Sequence, residues 1–182
     1  MLRQYKLSDY RFRLILWVIA LSIFGILIIG SANSIYQTRQ ILGLVLGLSA
    51  MVFISLMDYT WILNFYWILY FIGTALLIAV LFLGKNVNGA TRWITIAGLQ
   101  FQPSDIVKIL LILFFAKFFE NHEETISKPR IILSSLVLIA IQLFLIYKEP
   151  DLSTTIAVAA VFCIMIFMAG LSYRIVIGIL LV

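Results

Sequence analysis

Charged side chains are scarce in this chain: Asp, Glu, Lys and Arg make up 12% of its 182 residues, whereas 64% are hydrophobic. A soluble domain is nearer a quarter charged, so too little polar surface exists here to cover a globule in water. Cysteine is limited to Cys163, which excludes an intrachain disulfide; within the apolar run VFCIMIFM it reads as a small buried hydrophobe rather than a reactive thiol. The single histidine, His122, lies in the mixed-charge stretch Glu120 to Arg130 without the partner ligands a metal site needs. That stretch itself reads as a solvated turn. Walker loops, zinc spacings and a serine, histidine and aspartate triad are missing, which argues against an ATPase, a metalloprotease or a hydrolase. Neither an internal repeat nor a low-complexity tract is visible.

What the chain has in abundance is apolar runs: Leu14 to Ile29, Ile41 to Met57, Ile62 to Leu83, Ile106 to Phe119, Ile131 to Tyr147 and Ile156 to Leu171. Several fall short of the roughly 20 residues that a bilayer core of about 30 Å requires, so their polar flanks are drawn to membrane depth. A further segment, IVIGILLV from Ile175, stops after less than half a crossing, so the natural protein is expected to continue. The fold class expected is all-α, a polytopic transmembrane helix bundle of about six complete spans plus a truncated seventh. The spans are placed near residues 14–31, 41–57, 62–83, 104–119, 131–147 and 152–171, with an incomplete one at 175–182. Trp17, Tyr36, Tyr59, Trp61, Trp93, Tyr147 and Tyr173 cluster at the expected boundaries, where amphipathic rings favour the headgroup zone.

The net charge of +5 would point a soluble protein towards nucleic acid, but here the basic residues flank apolar segments and topology accounts for them. With the N-terminus inside, Arg3, Lys6, Arg11, Arg13, Lys117, Lys128, Arg130 and Arg174 are cytoplasmic and outnumber Arg39, Lys85, Arg92 and Lys148 outside. The first run also has the form of a secretory signal, with Arg11 and Arg13 before it and Gly30 and Ala32 after; the later runs leave the membrane assignment unchanged.

Chemistry is expected on the outer side. The connection Gly84 to Ser104 is read as a long loop holding Lys85 and Arg92 and no acid, which suits an anion such as pyrophosphate or a lipid headgroup. Interfacial anchoring by Arg92 and Trp93 is the plainer alternative. Pro103, Ser104 and Asp105 then open a helix, with the acid placed to meet the free N–H groups and the dipole. Asp105 and Lys108, three residues apart, share a face at membrane depth and should pair, either as part of a site or as a structural salt bridge. A second polar helix start, Lys148 to Thr155, has Pro150 ahead of the helix, Asp151 in its first turn and Thr155 on the same face. Arg92, Asp105, Lys108 and Asp151 are therefore expected to line one outward-facing cavity.

At these residues the chain resembles the SEDS family, the RodA, FtsW and SpoVE group of bacterial cell-shape, division and sporulation proteins. The family shows a pattern close to G-A-x-R-W-I before Q-P-S-E-x-x-K; here stand Gly89, Ala90, Thr91, Arg92, Trp93 and Ile94, then Gln102, Pro103, Ser104, Asp105, Ile106, Val107 and Lys108. The family's Q-P-D-L-G-T reads as Glu149, Pro150, Asp151, Leu152, Ser153 and Thr154. Weaker echoes occur at Ser31 and Ala32, Arg39 and Gln40, and Asp58 and Tyr59, and the short cytoplasmic start is more like RodA than FtsW. Three positions depart from the pattern: Asp105 for glutamate, Glu149 for glutamine and Ser153 for glycine. The first shortens the reach to Lys108, and the second adds a negative charge beside a site for pyrophosphate.

The resemblance implies a multi-pass protein of the bacterial cytoplasmic membrane, part of a larger helix bundle that polymerises lipid II beside a class B penicillin-binding protein. It implies Arg92, Gln102, Ser104, Asp105, Lys108 and Asp151 as substrate-binding residues, with Arg92 and Lys108 stabilising the leaving pyrophosphate. The general-base aspartate is expected beyond Val182, so no catalytic residue is assigned within this chain and the polypeptide alone is expected to be inactive. No cofactor is implied, and a divalent metal is left open. A flippase or transporter of the lipid-linked precursor would share the anion-binding cavity and differ in moving lipid without making polymer, whereas a non-catalytic component of the elongation or division machinery would tolerate Asp105→Ala and Arg92→Ala without loss of growth.

Overall fold

The computed structural model describes residues 12–87, 90–96 and 99–171. Arg3, Lys6, Arg11, Gly89, Tyr173, Arg174 and the apolar segment from Ile175 lie outside the described residues. The chain forms two compact units, residues 1–61 and 62–182.

In the first unit, α1 (Phe12–Ala32) and α2 (Ser34–Leu56) are separated by Asn33 alone. Asn33 leaves the helical region at φ −160°, ψ 118°, and its side-chain oxygen accepts the Ile35 N–H at 2.9 Å, so it N-caps the next helix at once. Residues 34–40, read from the sequence as a connection, are thereby the first turns of α2. Arg39 sits inside the helix with its guanidinium 5.9 Å from the Tyr36 ring centroid. No described residue of α1 or α2 is buried, and both helices are long and apolar enough to cross a membrane. Asp58 then accepts from the backbone and hydroxyl of Thr60 and caps a short helix, α3 (Tyr59–Asn64). The run from Ile62 to Leu83 is not one helix: Phe65, at φ −104° and ψ 29°, interrupts it, and α4 begins at Tyr66.

The second unit is built from α4 (Tyr66–Leu83), α5 (Pro103–Glu120), α6 (Pro129–Lys148) and α7 (Leu152–Met168). Helix α5 is its centre, packed on α4 and α7, while α6 packs on α4 and α7. The contacts are largely aromatic. Phe114 of α5 meets Tyr66 and Tyr70 of α4 at 5.6 and 4.8 Å between ring centroids, and Phe115 meets Phe162 of α7 edge-on at 4.9 Å. Such pairs add about 0.5–1.5 kcal/mol each beyond area burial. Helices α4 and α6 satisfy the length and apolarity needed for a span, as α1 and α2 do. Helix α5 carries Asp105, Lys108, Lys117 and Glu120, and α7 has 17 residues, about 25 Å at 1.5 Å per residue. These two therefore reach across about 30 Å only with their flanks.

Between α4 and α5 the chain departs from the expected loop. Three antiparallel strands, β1 (Lys85–Val87), β2 (Ala90–Ile96) and β3 (Leu99–Phe101), form a small sheet in the order β1-β2-β3. Ile94 pairs with Phe101 and Ile96 with Leu99, while β1 pairs with β2 through Val87 and Ala90 with a register shift near Lys85. Strand β2 packs on both α4 and α5, so the sheet is laid over the ends of those helices. At the opposite end of α5, His122 accepts or donates through Nδ1 to the Phe118 carbonyl at 2.7 Å and lies against the Phe118 ring, a helix-end role. Among the described residues no group of three or more His, Cys, Asp and Glu is placed to hold a metal.

One polar tie crosses the apolar interior. Gln142 of α6, fully buried, donates to the Thr74 hydroxyl of α4 at 2.5 Å, and the Tyr70 hydroxyl donates to the Leu138 carbonyl at 3.0 Å. Interhelical bonds of this kind in membranes average about 0.6 kcal/mol and reach about 1.7. Thr74→Val removes the hydroxyl that accepts from the Gln142 amide and should lower unfolding stability in detergent by about 1 kcal/mol, and adding Gln142→Leu should recover most of that loss. Thr74→Val as stable as the unmodified protein would show that the pair contributes nothing, and a double mutant no more stable than Thr74→Val would show that the stranded amide is not the cause of the loss.

Candidate functional site

The site gathers where α4 and α6 end, where α5 and α7 begin, and where the sheet lies across them. Asp151 is its centre, 1% exposed. It is the N-cap of α7, not a first-turn residue, because the side chain of an N-cap is the one that reaches back to the free N–H groups. Its Oδ1 accepts the Thr154 backbone N–H and the Ser153 hydroxyl, both at 3.1 Å, and its Oδ2 accepts the Thr154 hydroxyl at 2.8 Å. Thr154, at the third helical position, is thus the threonine that meets the carboxylate. Thr155 bonds the Asp151 backbone carbonyl at 2.8 Å instead.

Two distant elements complete this shell. Gln102, the residue before α5, donates through Nε2 to Asp151 Oδ2 at 2.9 Å and to the Ser104 hydroxyl at 3.0 Å. Arg92 of β2 donates through Nη2 to the Pro150 carbonyl at 2.5 Å and brings Nη1 to 3.6 Å from Asp151 Oδ1. That second distance is an ion pair without a hydrogen bond. The guanidinium is one-third exposed, so a cation held from both sides still faces outward. Burial alone would raise the Asp151 pKa, but the Thr154 backbone and hydroxyl, the Ser153 hydroxyl and Arg92 outweigh it and hold the carboxyl below its usual value.

Of the residues singled out from sequence, Arg92, Gln102, Ser104 and Asp151 come together. Asp105 and Lys108 do not join them. They pair with each other at 2.8 Å, half-exposed, and among the described residues no hydrogen bond or ion pair links them to Arg92 or Asp151. At 100° per residue, the α5 face that buries Ser104, Val107 and Leu111 turns Asp105 and Lys108 to the flank. Among the described residues the four charges thus form two separate pairs. Lys108 instead heads an apolar groove bordered by Leu111, Ile112, Ala157, Val161 and Met165 of α5 and α7.

Glu149 is the residue that sequence reasoning left out of the site. It caps the end of α6, is fully buried, and neither carboxylate oxygen has a hydrogen-bond partner. Burial, then the Asp151 charge, push its pKa up to about 7, against a smaller downward pull from Arg92. Its place beside Pro150 and Asp151 was visible in the sequence; its burial was not.

A family model described as "Cell cycle protein" and named for FtsW, RodA and SpoVE matches residues 11–182. The chain is 31% identical over 182 residues to the probable peptidoglycan glycosyltransferase FtsW of Trichlorobacter lovleyi, covering 92% of this chain and 48% of that one. It is 29% identical over 189 residues to the protein of the same description from Geobacter metallireducens, covering 95% and 50%. The chain therefore spans about half the length of the curated relatives it matches. In structure it resembles the rod shape determining protein RodA of Thermus thermophilus, with a TM-score of 0.81 and 27% identity over 93% of this chain and 57% of that one. A TM-score of 0.82 over 95% of this chain relates it to a component of a peptidoglycan synthase complex that coordinates polymerization and crosslinking.

The raised Glu149 pKa sets a pH dependence. Between the ordinary glutamate range and about 7 the folded chain keeps a proton that the unfolded chain has released, so this contribution to stability falls as pH rises through that window and levels off above it. Glu149→Gln should therefore raise thermal stability in detergent at pH 8 by about 1–3 kcal/mol and converge with the unmodified protein near pH 4. Parallel stability curves for the two proteins across that range would contradict the assignment.

Proposed function

The chain belongs to the FtsW, RodA and SpoVE family of cell cycle proteins, and from that premise we propose that it is part of a peptidoglycan glycosyltransferase polymerising lipid II. The membrane is crossed several times, with the N-terminus in the cytoplasm and the Arg92 and Asp151 cluster facing outside, where the wall is built. In the reaction, an acceptor sugar hydroxyl loses its proton to a general base and attacks the anomeric carbon of the donor. The bond to the undecaprenyl pyrophosphate oxygen breaks, and the leaving group departs with its charge. No residue of this chain is assigned as the base. A class B penicillin-binding protein is the partner, and no resident cofactor is invoked.

The observation that supports this reading is the way Arg92 is held. A side chain that merely anchors the sheet at the headgroups would not need a buried carboxylate, a backbone carbonyl and, through Asp151, the Gln102 amide to fix it. Preorganised cations of this kind favour developing negative charge because they need not reorient as it appears. Asp151 is a positioning residue, aiming Arg92 and capping α7, while Gln102 and Ser104 position Asp151. Arg92 meets the pyrophosphate. Lys108, with Asp105 as its counter-charge, sits at the head of an apolar groove suited to a lipid chain and adds a second cation at the same end of α5.

The test uses the full-length protein with its penicillin-binding partner and labelled lipid II. Glycan polymer is expected from the unmodified complex, and Arg92→Ala should cut turnover by about 10²–10³-fold, as the loss of one preorganised donor does elsewhere. Asp151→Asn, which keeps the helix cap and loses the charge, should act through Arg92 and lower turnover with a smaller change in KM. Transport of labelled lipid across vesicles without polymer would replace the enzyme reading with a transporter.

A further inference from the structure

The site holds two carboxylates and one cation. Asp151 is committed as an anion by its four hydrogen bonds and by Arg92. Arg92 divides its contacts between Asp151 and the Pro150 carbonyl, and its Nε–H is buried without a partner. The groups that bear on Glu149 electrostatically are Asp151, at the start of α7, and Arg92, from β2. Lys148, its chain neighbour, is drawn away over the Phe144 ring at 5.3 Å. From α5 the neutral Gln102 faces the cluster, turned to Asp151 and Ser104, and the Asp105 and Lys108 charges cancel each other on the flank.

Buried carboxylates with no hydrogen bond to either oxygen are rare, since desolvating the charge is costly and a bound proton removes the cost. If Glu149 is ionised, the cluster carries a net negative charge and opposes any anion at Arg92. With a proton on Glu149 the cluster is neutral, and Arg92 can share its outward face with phosphate oxygens. We propose that Glu149 takes up a proton from solvent when a phosphate-bearing ligand docks at Arg92, so that anion binding at this site is proton-linked. The inference rests on Arg92 being the anion-binding residue of the proposed function.

Linkage fixes the sign and the limit. Above the Glu149 pKa, which lies near 7, affinity for the anion falls with rising pH by at most tenfold per unit for one linked proton. The experiment titrates inorganic pyrophosphate into the full-length protein in nanodiscs at several pH values between about 6 and 9. Unmodified protein, Glu149→Gln and Arg92→Ala are compared. The ratio of affinities of the unmodified protein and Glu149→Gln cancels the ionisation of pyrophosphate itself. That ratio should fall with pH, approaching tenfold per unit at the upper end, and infrared difference spectra at pH 8 should show a protonated carboxyl gained on adding pyrophosphate. The band should be missing in Glu149→Gln. Parallel pH profiles with no such band, while Arg92→Ala still abolishes binding, would overturn the proton linkage and leave the anion site standing. Absence of pyrophosphate binding in the unmodified protein, or binding that Arg92→Ala leaves intact, would overturn both.

Discussion

A buried carboxylate is tolerated only where donors surround it, and Asp151 is the anion around which this end of the helix bundle is arranged. Its bonds reach three separate parts of the chain: the first turn of its own helix, the residue before α5, and a strand of the sheet. Removing the carboxylate would leave Gln102 and Thr154 without their common acceptor and Arg92 without its counter-charge. The sheet is too small to be stable alone. It owes its placement to the packing of β2 on α4 and α5 and to Arg92 reaching Asp151.

How much of this could be read from residues alone depends on whether the cause is local. The starts of α5 and α6, each with a proline at the head and a long apolar run behind, are written in adjacent residues. So is the pairing of Asp105 with Lys108, which needs only helical geometry. The sheet was not legible, because its strands are short and its stretch of glycines and polar residues reads equally as a loop. The extension of α2 back to Ser34 and the start of a short helix at Tyr59 turn on two capping side chains, Asn33 and Asp58, that a hydropathy reading ignores. The bond from Gln102 to Asp151 spans 49 residues and had no signal in spacing at all.

The charges divide into two classes for a physical reason that the primary structure conceals. Asp105 and Lys108 were the more conspicuous pair, yet they lie on the flank of α5, where helix position explains both: an acid belongs near exposed N–H groups and a base one turn on neutralises it. Their pairing has a local cause, and the groove that Lys108 heads is a separate feature. Arg92 and Asp151 are less conspicuous and far apart in the chain, and no helix geometry accounts for a strand residue bound to the cap of a distant helix. Function is better sought in the second class, where structure has been built to hold a charge rather than to dispose of one.

Polar groups within the apolar bundle obey the same distinction. Gln142 and Thr74 tie α4 to α6 by a neutral bond, so the interior gains a fixed register with no charge to desolvate. Glu149, at the end of α6, would have been equally quiet as a glutamine. As a glutamate with both oxygens unpartnered, it makes the charge of the cluster depend on one proton. Arg92 cannot neutralise it, since Asp151 already holds that cation with better geometry. An anion approaching Arg92 therefore meets a site whose charge is set by Glu149, and the substitution that looked like a local blemish in the motif becomes the variable that governs the whole cluster.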